Sequence, residues 1–375
     1  MKGHVYKRAP GKFWIILELG KDENNRRKQR FITFYGTKKE AEAELLRRLR
    51  LMESGFLLEP STMTVAAYLE SWLADHARHT VTPRTFERYQ TIVRLHLIPV
   101  LGHTSLDKLH PLKIQELWAR QLESGMCSTT VRKHHNVLHA ALARAVRLRL
   151  LPFNPCSAVT PPKPRHTEMK VLDDQGVARL LGAAHDTPVK VPVVLALATG
   201  MRRGEVLGLR WSDIDFDAGT LAVRQTLQEA QGQRIFKEPK TPKSRRVIAL
   251  PAVALDVLRR HHAEQAETRL RLGGMYDDHG LVCPQADGSP WWSSDFDRRY
   301  RRLRTQAGVD VRFHGLRHTH ATQLLRAGVH PKVVSERLGH ASIGITLDIY
   351  SHVLPSMQEE AAERIDEGLR AAMAR

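Results

Sequence analysis

The segment that decides the fold of the C-terminal part of the chain runs from residue 314 to residue 350 and reads HGLRHTHATQLLRAGVHPKVVSERLGHASIGITLDIY. The chain around it has a mainly helical pattern. His314 and Arg317 are three residues apart, so a helix places the imidazole and the guanidinium on one face. An LGH triplet ends at His340, and Tyr350 follows ten positions later. These four positions of the segment supply a permanent cation, two imidazoles and a phenol.

A second arginine precedes this segment in the stretch TGMRRGE, residues 199–205. Arg202 lies just past Gly200, at a predicted joint between two helices, where a side chain can leave the packed surface. Arginine suits a phosphate because its planar guanidinium donates two parallel hydrogen bonds and keeps its charge. Arg202 and Arg317 together can hold both non-bridging oxygens of one phosphodiester. Such a clamp stabilises the extra negative charge of a pentacoordinate transition state.

Tyr350 is the candidate nucleophile for this phosphate. A free phenol has a pKa of about 10, so it needs a positive pocket and a base, and His314 or His340 can act as base or orienting group. Lys240, on a predicted hairpin turn, is a candidate acid for the leaving 5′ oxygen. A phosphotyrosyl bond conserves the energy of the phosphodiester, so no nucleotide hydrolysis is required. The sequence has no GxxxxGK[S/T] phosphate loop.

Each of these residues also has an ordinary structural interpretation. Taken singly, the arginines are more often surface or salt-bridge residues, a histidine after a glycine is more often a helix-end cap, and the tyrosine is more often core filling. His314 and His318 approach a zinc-binding spacing, but there is no HExxH and no nearby cysteine. We therefore expect neither a metal nor a cofactor. The ordered set of residues, rather than any one of them, favours chemistry on a phosphodiester.

The charge of the chain points to a polyanionic partner. Fifty-eight Lys and Arg against forty Asp and Glu leave a formal net charge of +18, as expected of a protein that binds nucleic acid. No apolar run approaches the roughly 18 residues of a spanning helix, and the N-terminus does not resemble a signal peptide. We therefore expect no membrane and a cytoplasmic location in a bacterial host cell. The three cysteines support neither a disulfide framework nor a zinc site.

The pattern along the chain predicts three parts. Short strands at 4–8, 13–19 and 30–35 and a helix at 38–54 form a small basic βββα unit, which either sits on a DNA groove or caps the next domain. Helices are then predicted at 64–78, 83–95, 111–123 and 128–148, with a turn at 99–102. The last of these helices has a core stripe of Val131, Val137, Leu138, Ala141 and Leu142.

A run of five prolines between residues 152 and 164 predicts an extended connector and a boundary near residue 165. Beyond it, helices are predicted from Asp173 to about His185 and over 189–198. Strands at 221–225, 233–237 and 245–250 form a small sheet, and the rest of the chain is mainly helical.

With these motifs in place, the chain strongly resembles the tyrosine recombinase family, in particular phage-type integrases of mobile elements. The resemblance covers essentially the full chain and rests on TGxRxxE, HxxR, LGH and the tyrosine ten residues later. It implies an α+β multidomain fold: a small β-sheet arm-binding unit at 1–58, an all-α core DNA-binding domain at 62–158, and a mostly α catalytic domain with a small antiparallel sheet at 166–375.

The resemblance also implies the roles of the site residues. Arg202 and Arg317 are the phosphate-clamping arginines, Glu205 supports the first, and Tyr350 is the nucleophile that forms a 3′-phosphotyrosine. The two histidines of the family correspond to His314 and His340. Three lysines lie in the hairpin, and Lys240 is chosen because KTxxSxR, residues 240–246, looks like the family's pattern.

The implied function is site-specific integration or excision of a mobile element. The implied partners are double-stranded DNA attachment sites, four protomers on two sites, and accessory DNA-bending proteins. A C-terminal helix at 356–373 resembles one that docks on a neighbouring subunit, and packing on its own domain is an equal alternative. Three other functions stay open: a type IB topoisomerase, a DNA-binding regulator without chemistry, and a metal-dependent nuclease.

Overall fold

The computed structural model describes residues 3–21, 27–53, 63–164, 169–238, 245–340, 342–350 and 356–373. By its internal contacts the chain divides into two compact units, Met1–His166 and Thr167–Arg375. Each unit contains its own buried apolar clusters. Within the described ranges, no helix is both long enough and apolar enough to cross a membrane.

A three-stranded antiparallel sheet and one helix begin the first unit. The strands are β1 (Gly3–Ala9), β2 (Lys12–Lys21) and β3 (Arg27–Tyr35), with β2 in the centre, and the helix is α1 (Lys38–Glu53). Side chains alternate between the two faces of the sheet. Ile15 and Leu17 of β2 therefore lie on the same face, where they pack with Leu45 of α1 in a small buried cluster. The predicted βββα order is confirmed.

Helices form the remainder of the first unit. They are α2 (Val65–Trp72), α3 (Arg78–Thr80), α4 (Pro83–Ile92), α5 (Ile98–Leu101), α6 (Pro111–Glu123) and α7 (Ser128–Arg147). A π-helical turn at Leu73–Ala77 joins α2 to α3, and another at Val93–Leu97 joins α4 to α5. The core stripe expected on α7 is buried, and Tyr68 of α2 donates a hydrogen bond to the carbonyl of Ala141, 2.6 Å away.

The turn predicted to begin at Pro99 is wrong, because the helix continues through this proline to Leu101. Proline has no amide hydrogen and its ring crowds the carbonyl four residues earlier, which normally ends a helix. Here the wider π turn directly precedes Pro99, and the amide of Ile98 bonds to the carbonyl of Val93 five residues back. The change of hydrogen-bond register accommodates the proline without ending the helix.

His134 is a buried histidine at the centre of this helical core. It is 2% exposed, its Nδ1 lies 2.8 Å from Oε1 of Gln121, and its ring stacks on His96 at 4.5 Å. Burial, together with His96 and Arg88, lowers the pKa of His134 to about 4. The unfolded chain therefore binds a proton near pH 6.5 that the folded chain excludes until about pH 4.

We expect the stability of the helical core to be complete above about pH 6.5 and to fall as the pH drops towards 4, partly because of His134. In His134→Gln the free energy of opening α7 should change less with pH than it does in wild type. The difference between the two slopes should reach about 1 kcal/mol per pH unit around pH 5.5. Hydrogen exchange of α7 peptides in the full-length chain measures this quantity. The exposed His79 supplies the control, His79→Gln, and an equal slope in wild type and His134→Gln would contradict the expectation.

The second unit is mainly helical. Its helices are α8 (Asp174–Ala184), α9 (Lys190–Thr199), α10 (Arg203–Leu207), α11 (Ala252–Leu272), α12 (Ser293–Gln306), α13 (Phe313–Arg326), α14 (Pro331–Leu338), α15 (Ile343–Tyr350) and α16 (Ser356–Met373). Asp173 caps α8 as expected, accepting a hydrogen bond from the amide of Gly176 at 2.7 Å. α9 is buried on most sides and packs along α13, so the end of α9 lies in the interior of the unit.

Five short strands replace the single three-stranded sheet that the sequence predicted. β4 (Ile214–Asp215), β5 (Thr220–Val223) and β8 (Arg246–Ala249) form one antiparallel sheet, whereas β6 (Thr226–Ala230) and β7 (Gln233–Lys237) form a separate hairpin. The strand predicted at 233–237 exists, but its partner is β6, which the sequence analysis missed. Residues 231 and 232 form the tight turn that pairs these two neighbours.

Candidate active site

The turn after α9 places Arg202. Gly200 ends the helix in a left-handed conformation, with φ 67° and ψ 17°, which a glycine adopts without steric cost. A Cβ at this position would lie 2.5 Å from a methyl of Leu338 and 2.7 Å from Cδ2 of His320. Glycine is therefore required both by the backbone angle and by close packing. Arg202 follows as the N-cap residue of α10.

Glu205 holds Arg202 through two contacts. Its Oε2 accepts a hydrogen bond from the backbone amide of Arg202, and its Oε1 accepts one from Nη1 of the same residue, both at 2.9 Å. Nη2 of Arg202 points to the carbonyl of Gly339 at 3.3 Å. The Arg202 side chain is 40% exposed, so its guanidinium is both held in place and accessible to solvent.

Glu205 also forms an ion pair with a second arginine, Arg246. The side chains of Glu205 and Arg246 are 5% and 6% exposed, and Nη2 of Arg246 bonds to Oε2 of Glu205 at 2.8 Å. Burial by itself raises the pKa of Glu205, but the hydrogen bond and charge of Arg246, joined by the contacts with Arg202, outweigh it and lower the pKa. Glu205 therefore stays ionised and keeps Arg202 and Arg246 in place.

Arg317 lies at the bottom of the same junction. It is 2% exposed and reaches across from α13 to two main-chain carbonyls. Nη1 donates to the carbonyl of Gly200 and Nη2 to that of Leu338, both at 2.7 Å. Gly200 belongs to the turn before Arg202, and Leu338 is the first residue of the LGH triplet. Arg317 therefore binds together the three segments that carry the sequence motifs.

Three histidines surround the arginines. His314 is exposed and its ring stands perpendicular to that of His318 at 5.1 Å, while Nδ1 of His340 is hydrogen-bonded to Oγ1 of the buried Thr346 at 2.8 Å. Partial loss of water and then Arg317 and Arg202 lower the pKa of His314 and of His340, the latter to about 4. Burial and then His314 lower the pKa of His318 to about 4. These shifts favour the neutral form of all three rings at pH 7.

The structure thus brings together four of the six predicted site residues: Arg202, His314, Arg317 and His340. Tyr350 is the last residue of α15, whose backbone is described while its side chain is not. Lys240 lies outside the described residues. Among the residues that are described, no group of three or more His, Cys, Asp or Glu has the arrangement of a metal site.

Several residues at the junction were not predicted as part of a site. Arg246 appeared in the sequence only as the end of the KTxxSxR pattern, and His318 only as half of a rejected zinc spacing. His320 and Arg337 had no signal at all. His320 and Arg337 contact each other and main-chain carbonyls of distant segments, and such contacts leave no trace in local spacing.

Comparison with known proteins agrees with this geometry. The phage integrase family model matches residues 170–357, and the model of the phage integrase N-terminal SAM-like domain matches 64–122. A tyrosine recombinase XerC-like protein of Caldanaerobacter subterraneus is 31% identical over 98% of both chains. This chain belongs to the phage integrase family. The resemblance inferred from the motifs is confirmed, and the integrase family places the activity among the DNA strand transferases known as tyrosine recombinases.

Other integrases match most of this chain in sequence or in fold. The ICEBs1 integrase of Bacillus subtilis is 25% identical over 97% of this chain and 99% of its own. The Tn1549 transposon integrase bound to transposon right end DNA superposes with a TM-score of 0.69 at 22% identity, covering 81% of this chain and 100% of that one. A lambda integrase tetramer bound to a Holliday junction gives 0.58 at 19% identity, with 90% and 95% coverage. These structures confirm the predicted fold class.

Proposed function

We propose that this integrase-family chain cleaves and rejoins DNA at specific sites through a 3′-phosphotyrosine at Tyr350, and thereby integrates or excises a mobile element. The observation that carries the proposal is the meeting of Arg202 and Arg317 around the carbonyls of Gly200, Leu338 and Gly339. His340 is the residue directly after Gly339. Two oriented guanidinium groups beside a neutral imidazole form a site for one backbone phosphate.

Arg202 and Arg317 act on the phosphate in this proposal. Attack by the phenol oxygen adds negative charge to the phosphoryl oxygens, and charge-assisted hydrogen bonds strengthen as that charge grows. Both guanidinium groups are held by protein contacts before DNA binds, so little reorganisation is needed in the transition state. Glu205 contributes by orienting Arg202.

The histidines handle the proton of the nucleophile. Their pKa values are lowered by burial and by the nearby arginines. A bound phosphate offsets part of that positive charge and therefore raises the basicity of His314 and His340 towards the range in which they accept a proton. The same rings return the proton when the 5′ hydroxyl attacks the phosphotyrosine and the strand is rejoined.

The position of Tyr350 in its helix supports its role. Thr346, which binds His340, precedes Tyr350 by four residues in α15. Residues four apart lie on the same face of a helix, about 6 Å apart along its axis. The four-residue spacing from Thr346 to Tyr350 along α15 supports the assignment of Tyr350 as the nucleophile.

Lys240 is the proposed acid for the leaving 5′ oxygen. It falls between the end of β7 at Lys237 and the start of β8 at Arg246. Arg246, six residues after Lys240 in the sequence, is bound to Glu205 beside Arg202, which supports a role for Lys240 close to the phosphate. Protonation of the departing 5′ oxygen completes the cleavage step without ATP or metal.

The proposed substrate is double-stranded DNA, and exposed cations are available in both units. In the second unit α12 carries four exposed arginines, Arg298, Arg299, Arg301 and Arg302. In the first unit Arg132, Lys133 and Arg147 are exposed along α7. We assign residues 62–158 to core-site binding and 166–375 to catalysis, and expect the reaction to take place in the bacterial cytoplasm.

The N-terminal sheet is the proposed arm-binding unit, residues 1–58. Its face opposite α1 carries aromatic and cationic side chains. Trp14 and Phe31 pack edge to face at 5.5 Å, and the Arg8 guanidinium lies 3.8 Å from the Trp14 ring centre. Tyr6 and Tyr35 are 55% and 70% exposed. Planar rings fixed beside cations on an open sheet suit a nucleic-acid groove.

The C-terminal helix supports assembly on DNA. Ile365 and Leu369 of α16 are 65% and 57% exposed, so the chain's own fold does not cover this apolar stripe. We propose that α16 docks on a neighbouring protomer within a tetramer that joins two attachment sites, with accessory proteins bending the DNA.

Mass spectrometry of a trapped adduct tests the proposed function. The substrate is a set of duplexes from the end of the element that encodes the chain, each with one nick, stepped by single nucleotides across the site. Cleavage beside the nick releases a short fragment that carries the 5′ hydroxyl, so the covalent intermediate accumulates. We expect one peptide to carry the nucleotide on Tyr350, equally in EDTA.

Two of the alternative functions predict a different outcome of this assay, and plasmid relaxation distinguishes the third. A regulator without chemistry gives DNA binding and no adduct, whereas a metal-dependent nuclease gives cleavage that EDTA stops. A type IB topoisomerase relaxes any supercoiled plasmid irrespective of its sequence. Attachment of the nucleotide to any residue other than Tyr350 would overturn the assignment of the nucleophile.

A further inference from the structure

The buried His320 and the partly buried Arg337 form a pair behind the arginines of the site. His320, on α13, is 5% exposed. Its Nδ1 lies 2.7 Å from the carbonyl of Leu197, and Nε of Arg337 donates to its Nε2 at 3.1 Å. These partners require a neutral ring with the proton on Nδ1. Burial and then the Arg337 charge lower the pKa of His320 to about 4, which agrees with this state.

The other end of the Arg337 guanidinium binds two more segments. Nη2 donates to the carbonyl of Ala198 at 2.9 Å and to that of Ala249 at 3.0 Å. Ala198 lies in the last turn of α9 and Ala249 ends β8. One side chain of α14 therefore joins α9, β8 and, through His320, α13.

His320 and Arg337 are each adjacent to a residue whose backbone carbonyl accepts a hydrogen bond from Arg317. The His320 ring packs against Gly200, where an added Cβ would lie 2.7 Å from Cδ2, and the Gly200 carbonyl receives Nη1 of Arg317. Arg337 precedes Leu338, whose carbonyl receives Nη2 of Arg317. The carbonyl of Arg337 itself accepts a hydrogen bond from Nε of Arg246 at 2.7 Å. Displacement of the pair therefore displaces the acceptors that orient Arg317 and Arg246.

We propose that His320 and Arg337 are positioning residues for DNA cleavage, which fix the carbonyls that hold Arg317 and Arg246 without touching the DNA. This inference rests on the proposed function of Arg317 as a phosphate clamp. Because a misplacement of about 1 Å in such a site costs on the order of 100-fold in rate, the pair should affect the rate of cleavage far more than the binding of DNA.

The test measures single-turnover cleavage of the nicked duplex at saturating protein, well below the melting temperature. A mispositioned site lowers the rate constant of every molecule, whereas partial unfolding lowers only the fraction of DNA that is cleaved. In Arg337→Leu we expect the rate constant to fall about 10- to 100-fold, with the dissociation constant for DNA changed less than about threefold. The control Arg326→Leu removes an exposed arginine from the end of α13 and should cleave at the wild-type rate.

Two further variants separate positioning from stability. Arg337→Lys keeps a cationic donor for the carbonyls but loses the planar fork, so its rate constant should lie between those of Arg337→Leu and wild type. Since His320 and Arg337 act as one unit, the double variant His320→Phe/Arg337→Leu should lose about as much rate as the more damaging of the two single variants, well short of the product of the single losses.

The inference is tested once wild type is seen to form the adduct. It is overturned if the rate constant of Arg337→Leu stays within threefold of the wild-type value. It is also overturned if only the fraction of DNA that is cleaved falls in this variant. Losses that multiply in the double variant would equally overturn the idea of one unit. Absence of any adduct with wild type would instead reject the proposed function, and with it the basis of this inference.

Discussion

Replacement of Tyr350 by phenylalanine should abolish the covalent protein–DNA adduct and leave DNA binding at the wild-type level. The variant lacks only the oxygen that attacks the phosphorus. The arginines and histidines of the site are unchanged, so affinity for the attachment site should not fall. Denaturing gels of labelled nicked duplex measure the adduct, and gel shifts measure binding.

Tyr276→Phe provides the control for this experiment. It removes a phenol oxygen that accepts a hydrogen bond from Gln265 at 2.7 Å and that has no part in the proposed chemistry. Its adduct should form at the normal rate. If Tyr350→Phe still forms an adduct while Tyr276→Phe behaves as wild type, another nucleophile must be at work and the proposed mechanism fails.

Arg202→Ala and Arg317→Ala should both reduce cleavage of bound DNA by several powers of ten, since removal of one donor to a developing oxyanion costs roughly 100- to 1,000-fold and each arginine carries more than one donor. Their effects on stability should differ. Arg202→Ala leaves Glu205 paired with Arg246 at 2.8 Å, whereas Arg317→Ala leaves the buried carbonyls of Gly200 and Leu338 without their donor. Each such loss costs about 1–3 kcal/mol.

Thermal unfolding beside single-turnover cleavage distinguishes the two arginines. Only Arg317→Ala should melt at a clearly lower temperature, and both should lose cleavage at temperatures where they are folded. Arg179→Ala, which removes an exposed arginine of α8, controls for the change in net charge. An unchanged cleavage rate in either site variant would reject the phosphate clamp.

Local rules were enough to predict the parts of this site that depend on spacing. The step from His314 to Arg317 matches one helical turn, and both residues do lie on α13. The glycine before Arg202 indicated a helix end, and Gly200 ends α9 in the left-handed conformation. Such features follow from the backbone geometry of a few consecutive residues, which the sequence reports directly.

Predictions failed where the outcome depends on hydrogen bonds to a distant partner or on an irregular register. The strand at 233–237 was predicted correctly, but its pairing with β6 depends on a turn that competes with other pairings. Pro99 was expected to end a helix because its local chemistry usually does so, and the π turn before it reverses that outcome.

The amino-acid order alone specified the family, the order of its secondary-structure elements and the residues proposed for phosphoryl transfer, because these follow from charge, helical periodicity and motif spacing. Folding in three dimensions decided how those residues act together. Arg317 acquires its orientation from the carbonyls of Gly200 and Leu338, more than 20 positions away along the chain in each case. Backbone carbonyls are the same in every residue. The pattern of side chains therefore cannot predict which carbonyls will accept hydrogen bonds from a given arginine.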